Sequence, residues 1–310
     1  MLYYNSKVNE CYKINKGVNI MVHVYEKVCK TEQNEYGIRE IFDENPLKKG
    51  PCIITILAIP MFLKDINGSL KVVAELVNPN IDHHYDPDRR ILGLGFGDYK
   101  EQYGRFSKMK PSQDELEEFL TTYFYPLFIE NNTKIDVLKA MKNFRNLTFL
   151  TYCNGAIVFK EIEEQLKLKM KEVGYNDSEI GMILSQVCLA AISGDVIKRT
   201  GTSALAITFG DVKDIDYERD DETIESIKKL GQGFINYDSS LGFAVAEDGN
   251  HCFKRHMIGD PILSSRISSF LNTSIENALE NRNNDIINPI TYEKIQNAFD
   301  NANEPIDKAL

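Results

Sequence analysis

From residue 52 onward, short runs rich in β-branched and aromatic residues alternate with stretches of helical spacing, and this rhythm restricts the fold more than any other feature of the chain. Residues 52–59, 91–96, 147–152, 186–192, 204–209 and 242–246 have the length and composition of strands. The first of them is continuously apolar and bounded by Gly50-Pro51 and Pro60, as expected for a strand buried on both faces. Residues 70–77 read as a further strand, joined to 52–59 in a hairpin through the turn signal Asn67-Gly68. Helical spacing covers 111–129, 131–144, 157–173, 177–184, 222–230 and 261–280. Pro111-Ser112-Gln113-Asp114-Glu115 makes a good helix start, with acidic residues placed to suit the helix dipole, and Asp177 is a plausible cap. Strands alternating with helices predict an α/β domain with a mainly parallel sheet flanked by helices. That domain is expected over residues 51–282, preceded by an N-terminal extension or extra strands at 1–50 and followed by a polar segment at 283–310.

Charge removes several classes of partner. Forty-six Asp and Glu against 36 Lys and Arg leave a net charge of −10 in 310 residues, which offers no electrostatic footprint for nucleic acid or for an anionic membrane surface. The longest apolar run, 51–63, is too short to span a bilayer and contains Pro60, so no integral membrane segment is expected. The N-terminus shows no charged start followed by an apolar stretch, which makes the cytoplasm the default location; secretion through a specialised machine would leave no such mark. Six cysteines without a Cys-x-x-Cys pair are too few for a disulfide scaffold, and apolar neighbours at Cys29, Cys52 and Cys188 suggest buried free thiols.

One thiol stands apart. In Leu147-Thr148-Phe149-Leu150-Thr151-Tyr152-Cys153-Asn154-Gly155-Ala156, a strand ends, Cys153 sits at a sharp turn, and a long helix begins within a few residues. A thiol at a helix N-terminus has its pKa lowered by the dipole, and the free backbone N–H groups there can hold a developing oxyanion. The other reading of the same residues is a buried thiol at an ordinary strand-to-helix turn.

Thr151-Tyr152-Cys153-Asn154-Gly155 resembles the nucleophile elbow of the α/β-hydrolase fold, Gly-x-Ser-x-Gly, with Thr in place of the first Gly and Cys in place of Ser as in dienelactone hydrolases. The resemblance implies an oxyanion loop after an earlier strand, and Gly93-Leu94-Gly95-Phe96-Gly97-Asp98 is similar to that loop. Its donors would be the backbone N–H of Phe96 or Gly97 together with that of Asn154. A dinucleotide-binding reading of the glycines fails on their spacing. A general base should follow the last strand, where His251 fits and His256 is the alternative; an acid should follow the strand before it, where Asp214 fits and Asp211 is the alternative. The implied protein is a hydrolase of an ester, thioester or related acyl bond, with a small-molecule or acyl substrate and neither metal nor organic cofactor. Its oligomeric state is left open.

The segment Asp82-His83-His84-Tyr85-Asp86-Pro87-Asp88 is dense in metal-ligand types, yet adjacent histidines diverge and no second cluster completes a site, so a hydrated loop is expected. The residues Lys160, Glu161, Glu163, Glu164, Lys167, Lys169 and Lys171 read as a solvated helix face. A non-catalytic protein using the same scaffold as a binding or virulence-associated effector surface is the rival from another class. A caspase-like peptidase, whose His would precede its Cys, is a weaker third.

Overall fold

The computed structural model describes residues 22–28, 37–41, 45–57, 63–77, 89–100, 104–152, 155–192, 204–209, 233–237, 257–258 and 261–280. In chain order these form strand β1 (Val22–Lys27), β2 (Ile38–Glu40), β3 (Cys52–Leu57), helix α1 (Leu63–Val77), β4 (Arg90–Lys100), β5 (Arg105–Lys108), α2 (Gln113–Phe119), β6 (Ile129–Glu130), β7 (Thr133–Lys134), α3 (Val137–Arg145), β8 (Leu147–Tyr152), α4 (Gly155–Glu172), α5 (Asp177–Leu184), β9 (Cys188–Ile192), β10 (Ala204–Phe209), β11 (Gly233–Tyr237) and α6 (Pro261–Glu280).

One mixed sheet organises them, in the order β2-β1-β4-β3-β8-β9-β10-β11. From β4 to β11 every neighbouring pair is parallel, while β1 runs antiparallel to β4 and β2 antiparallel to β1. The chain steps from β3 one way to β4 and from β8 the other way to β9. With crossovers of one hand, opposite steps place their helices on opposite faces. Accordingly α1 and α6 share one face: a Cβ at Gly93 would meet Ile66 and Leu70, Thr148 bonds Ser274, and Ser268 donates to the Leu76 carbonyl. On the other face Phe149 packs against Phe159 of α4 at 4.7 Å and against Phe124 at 6.1 Å. The α/β architecture with a mostly parallel, helix-flanked sheet follows the sequence rhythm. Part of the first fifty residues, as β1 and β2, lies within the sheet.

Three local expectations are corrected. Residues 70–77 belong to a helix, because Ile66, Leu70, Val73 and Val77 recur at helical spacing and are all buried, which outweighs the Asn67-Gly68 turn signal. Residues 131–134 form a tight hairpin instead of opening a helix: Asn131 and Asn132 take positive φ of 51° and 60°, and α3 starts later, capped by Asp136. The strand at 91–96 does not give way to a loop; β4 continues to Lys100, pairing with β5 through an irregularity between Phe96 and Tyr99 where Gly97 sits at φ 74°. Two smaller shifts concern ends: α5 is capped by Asn176 in place of Asp177, and residues 120–127 continue α2 in π and 3-10 turns. The expected helix at 222–230 and strand at 242–246 lie outside the described residues, as do residues 82–88.

The antiparallel side of the sheet is tied by buried charge. Glu26, fully buried, accepts from Arg90 Nε at 2.7 Å and from Arg39 Nε and Nη2 at 2.9 and 2.7 Å, and Arg90 Nη1 donates to the Pro46 carbonyl. The charged face of α4 behaves as a solvated one, with Glu163–Lys167 at 3.5 Å and Lys169–Glu172 at 2.9 Å.

Candidate active site

Where neighbouring parallel strands send their chains in opposite directions, the loops at their carboxyl ends diverge and leave a crevice. In this sheet that point lies between β3 and β8, which pair in register from Cys52–Leu147 to Leu57–Tyr152. β8 ends at Tyr152 and α4 begins at Gly155, leaving two residues for the turn. The helix starts hard against the neighbouring strand: a Cβ on Gly155 would fall on the Ile56 carbonyl oxygen, so only glycine permits the approach. The first turn of a helix has backbone N–H groups without acceptors inside the helix, and the first turn of α4 carries no acidic side chain to compete for them. Thr151, paired with Ile56, is fully buried on this face, and its Oγ1 has no hydrogen-bond partner among the described residues.

Of the residues singled out in the sequence, Cys153, Asn154, Asp211, Asp214, His251 and His256 lie outside the described residues. Cys153 follows the carboxyl end of β8, Asp211 and Asp214 follow that of β10, and His251 and His256 come after β11; the three strands run the same way. β10 is two strands from β8, about 10 Å at the usual ~4.8 Å spacing.

Phe96 and Gly97 are described. Phe96 is flanked by Val22 on one edge and Lys108 on the other, and its side chain is buried. Gly97 serves the bulge, since a Cβ there would press on Ser107 and Lys108, and Gly95 lies under the Phe106 ring. These glycines are explained by packing. β4 is also separated from β8 by β3, roughly 10 Å across, whereas two donors to one oxyanion must both lie about 3 Å from it. The strand that borders β8 on this side is β3, which strand order shows and sequence alone does not reveal.

A second histidine site was not foreseen. His23 Nδ1 lies 2.5 Å from Glu40 Oε1, and Tyr25 OH donates to Glu40 Oε2 at 3.2 Å, under the ring of Phe106. His23 pairs with Gly95, three strands from β8, so about 14 Å separates it from the end of that strand. That is beyond the reach of a base for a group following Tyr152. The Cys52 thiol is pushed up to about 12 by burial, against the opposing pull of Arg90, and is inert as a nucleophile; Cys188 is buried as well.

Among the described residues no group of three or more His, Cys, Asp or Glu could hold a metal ion, and no helix is long and apolar enough to cross a membrane. No protein-family model matches the chain, and no curated protein matches it at a significant level.

Proposed function

We propose that the chain is a cysteine-dependent acyl hydrolase of the α/β-hydrolase type. The observation that carries this reading is the strand–helix junction at the centre of the sheet, where only two residues, Cys153 and Asn154, separate β8 from an α4 that starts in contact with the end of β3. These two residues join the switch-point strand to the start of an eighteen-residue helix, whose N-terminus is its positive end. The order Cys153, Asp214, His251 along parallel strands supports the same reading.

In the reaction, His251 takes the proton of Cys153, and the thiolate attacks the acyl carbon of an ester or thioester. Asp214 orients the imidazole, and the backbone N–H of Asn154 stabilises the tetrahedral oxyanion. Collapse breaks the bond to the leaving group, which receives the proton from His251; water, activated by the same imidazole, then releases the acid. Asp211 and His256 are the substitutes if variants at Asp214 or His251 prove silent. The test is the Cys153→Ala variant with an activated aryl ester: turnover should fall at least about a thousandfold. A variant that keeps its turnover rules the assignment out.

A further inference from the structure

His23 is the one histidine among the described residues, and its surroundings hold the ring in a fixed orientation. His23 and Tyr25 stand two apart on β1 and share a face of the sheet, and Glu40 of the edge strand β2 is opposite Tyr25 in the antiparallel register. Glu40 Oε1 lies 2.5 Å from His23 Nδ1, and Tyr25 OH donates to Glu40 Oε2 at 3.2 Å, so both carboxylate oxygens are engaged. Gly95, the β4 residue opposite His23, has no side chain to displace the buried Phe106 ring, whose centroid is 5.3 Å from that of the imidazole. The His23 side chain is nevertheless 21% exposed, and among the described residues its Nε2 has no hydrogen-bond partner. When Nδ1–H donates to a carboxylate, the neutral ring carries its lone pair on Nε2. Holding the two strands together does not call for this arrangement alone. On the opposite face Glu26 and Arg39 already join β1 to β2 at 2.7 Å.

We propose that His23 is a second, slower proton-transfer site, separate from the residues after β8, that hydrolyses activated acyl compounds such as aryl esters. A base, an acid that orients it and a third group that fixes the acid make up the arrangement a general base requires. Water supplies the nucleophile. Nε2 takes a proton from water as its oxygen attacks the acyl carbon, and Glu40, accepting from Nδ1–H, stabilises the imidazolium that forms. The tetrahedral intermediate then breaks its bond to the aryl oxygen, which receives the proton from Nε2. Ester and water become acid and phenol, and the imidazole returns to its starting form. Glu40 is a positioning residue, and Tyr25 keeps its carboxylate in place. Two strands, β4 and β3, lie between β1 and β8, so the two sites act independently.

The experiment measures aryl-ester hydrolysis by the full chain carrying Cys153→Ala, and then with His23→Gln, Glu40→Gln or His84→Gln added. His23→Gln and Glu40→Gln should each lower the remaining rate at least about tenfold, and His84→Gln should leave it in place. Proton NMR of the Cys153→Ala protein should show a far-downfield resonance from the Nδ1 proton held against Glu40, lost in His23→Gln and in Glu40→Gln and kept in His84→Gln. A rate that survives His23→Gln or Glu40→Gln overturns the proposal, and so does an equal loss in His84→Gln. Absence of the resonance from the Cys153→Ala protein also overturns it, and that measurement leaves β1 and β2 unaltered. Every protein compared lacks the Cys153 thiol, so none of these outcomes bears on the acyl-enzyme assignment.

Discussion

The two edges of the parallel strands are built on opposite lines. At the amino edge, where β3 and β4 begin, charged side chains are buried and bonded: Glu26 holds Arg90 and Arg39, and Arg145 donates to Gln186 Oε1. Cys52, in register with Arg90, is a thiol that burial keeps protonated. At the carboxyl edge, around β3 and β8, Gly155 lies on the Ile56 carbonyl, and Thr151 has no hydrogen-bond partner among the described residues. One edge is held together by buried, charge-assisted hydrogen bonds. The other is set by a close backbone approach beside a buried hydroxyl.

That contrast can be broken by substitution, beginning where the largest effect is expected. Glu26→Ala leaves the Arg90 guanidinium buried without its counter-charge and should lower stability by about 3–5 kcal/mol in urea unfolding. Replacing Glu26 and Arg90 together by Met should lower it less than Glu26→Ala alone, because the only charge left without its partner is that of the exposed Arg39. A double variant that suffers more than the single would show that packing, not charge balance, sets the amino edge. At the carboxyl edge, Gly155→Ala must push α4 off the Ile56 carbonyl, and overpacking of this kind costs about 1–3 kcal/mol. If the variant unfolds like the wild type, the close approach of α4 is not what fixes the turn.

A smaller effect belongs to the pair of exposed Lys108 and buried Glu115, at 2.8 Å beside the Ser112 capping box of α2. Burial works against the Glu115 carboxylate, yet hydrogen bonds from Lys108 and Ser112 outweigh it and hold the carboxyl below its ordinary value of 4.5. A depressed folded pKa contributes stability that is present above the unfolded value and is lost as pH falls through the folded one. Glu115→Gln should therefore cost about 1 kcal/mol at neutral pH and have less to lose on acidification below 4.5. Parallel acid arms in the two proteins would contradict this. Smallest of all is Gly68→Ala. Gly68 is exposed within α1, and a Cβ there meets nothing within 4 Å, so about 0.5–1 kcal/mol of stability should be gained. The two helix glycines thus predict changes of opposite sign.

How much could be read beforehand follows from how local each signal is. β8, β10 and α6 have the bounds expected from sequence, because each is a single run with one period and clear ends. Residues 63–77 misled because Asn67-Gly68 is a strong turn signal with a range of two residues, whereas the burial of Ile66, Leu70, Val73 and Val77 is decided by the sheet beneath them. Gly93, Gly95 and Gly97 looked like a loop made for an oxyanion; their cause is the Phe106 ring, the α1 side chains and a bulge, none of which is adjacent in sequence. The place of Cys153 after a central strand was legible from the strand–turn–helix pattern. That this strand borders β3, and so lies at the switch point, comes only from the pairing of strands.

The central claim, that the turn after β8 holds a nucleophile, is most directly tested by trapping the acyl-enzyme. The protein is mixed with an activated aryl ester or thioester, quenched in acid within the first turnover, digested, and its cysteine peptides are weighed. The account predicts the mass of the acyl group on the peptide containing Cys153 and none on those containing Cys52 or Cys188. Hydrolysis that proceeds with no adduct on Cys153, or an adduct carried by one of the buried thiols, would contradict it.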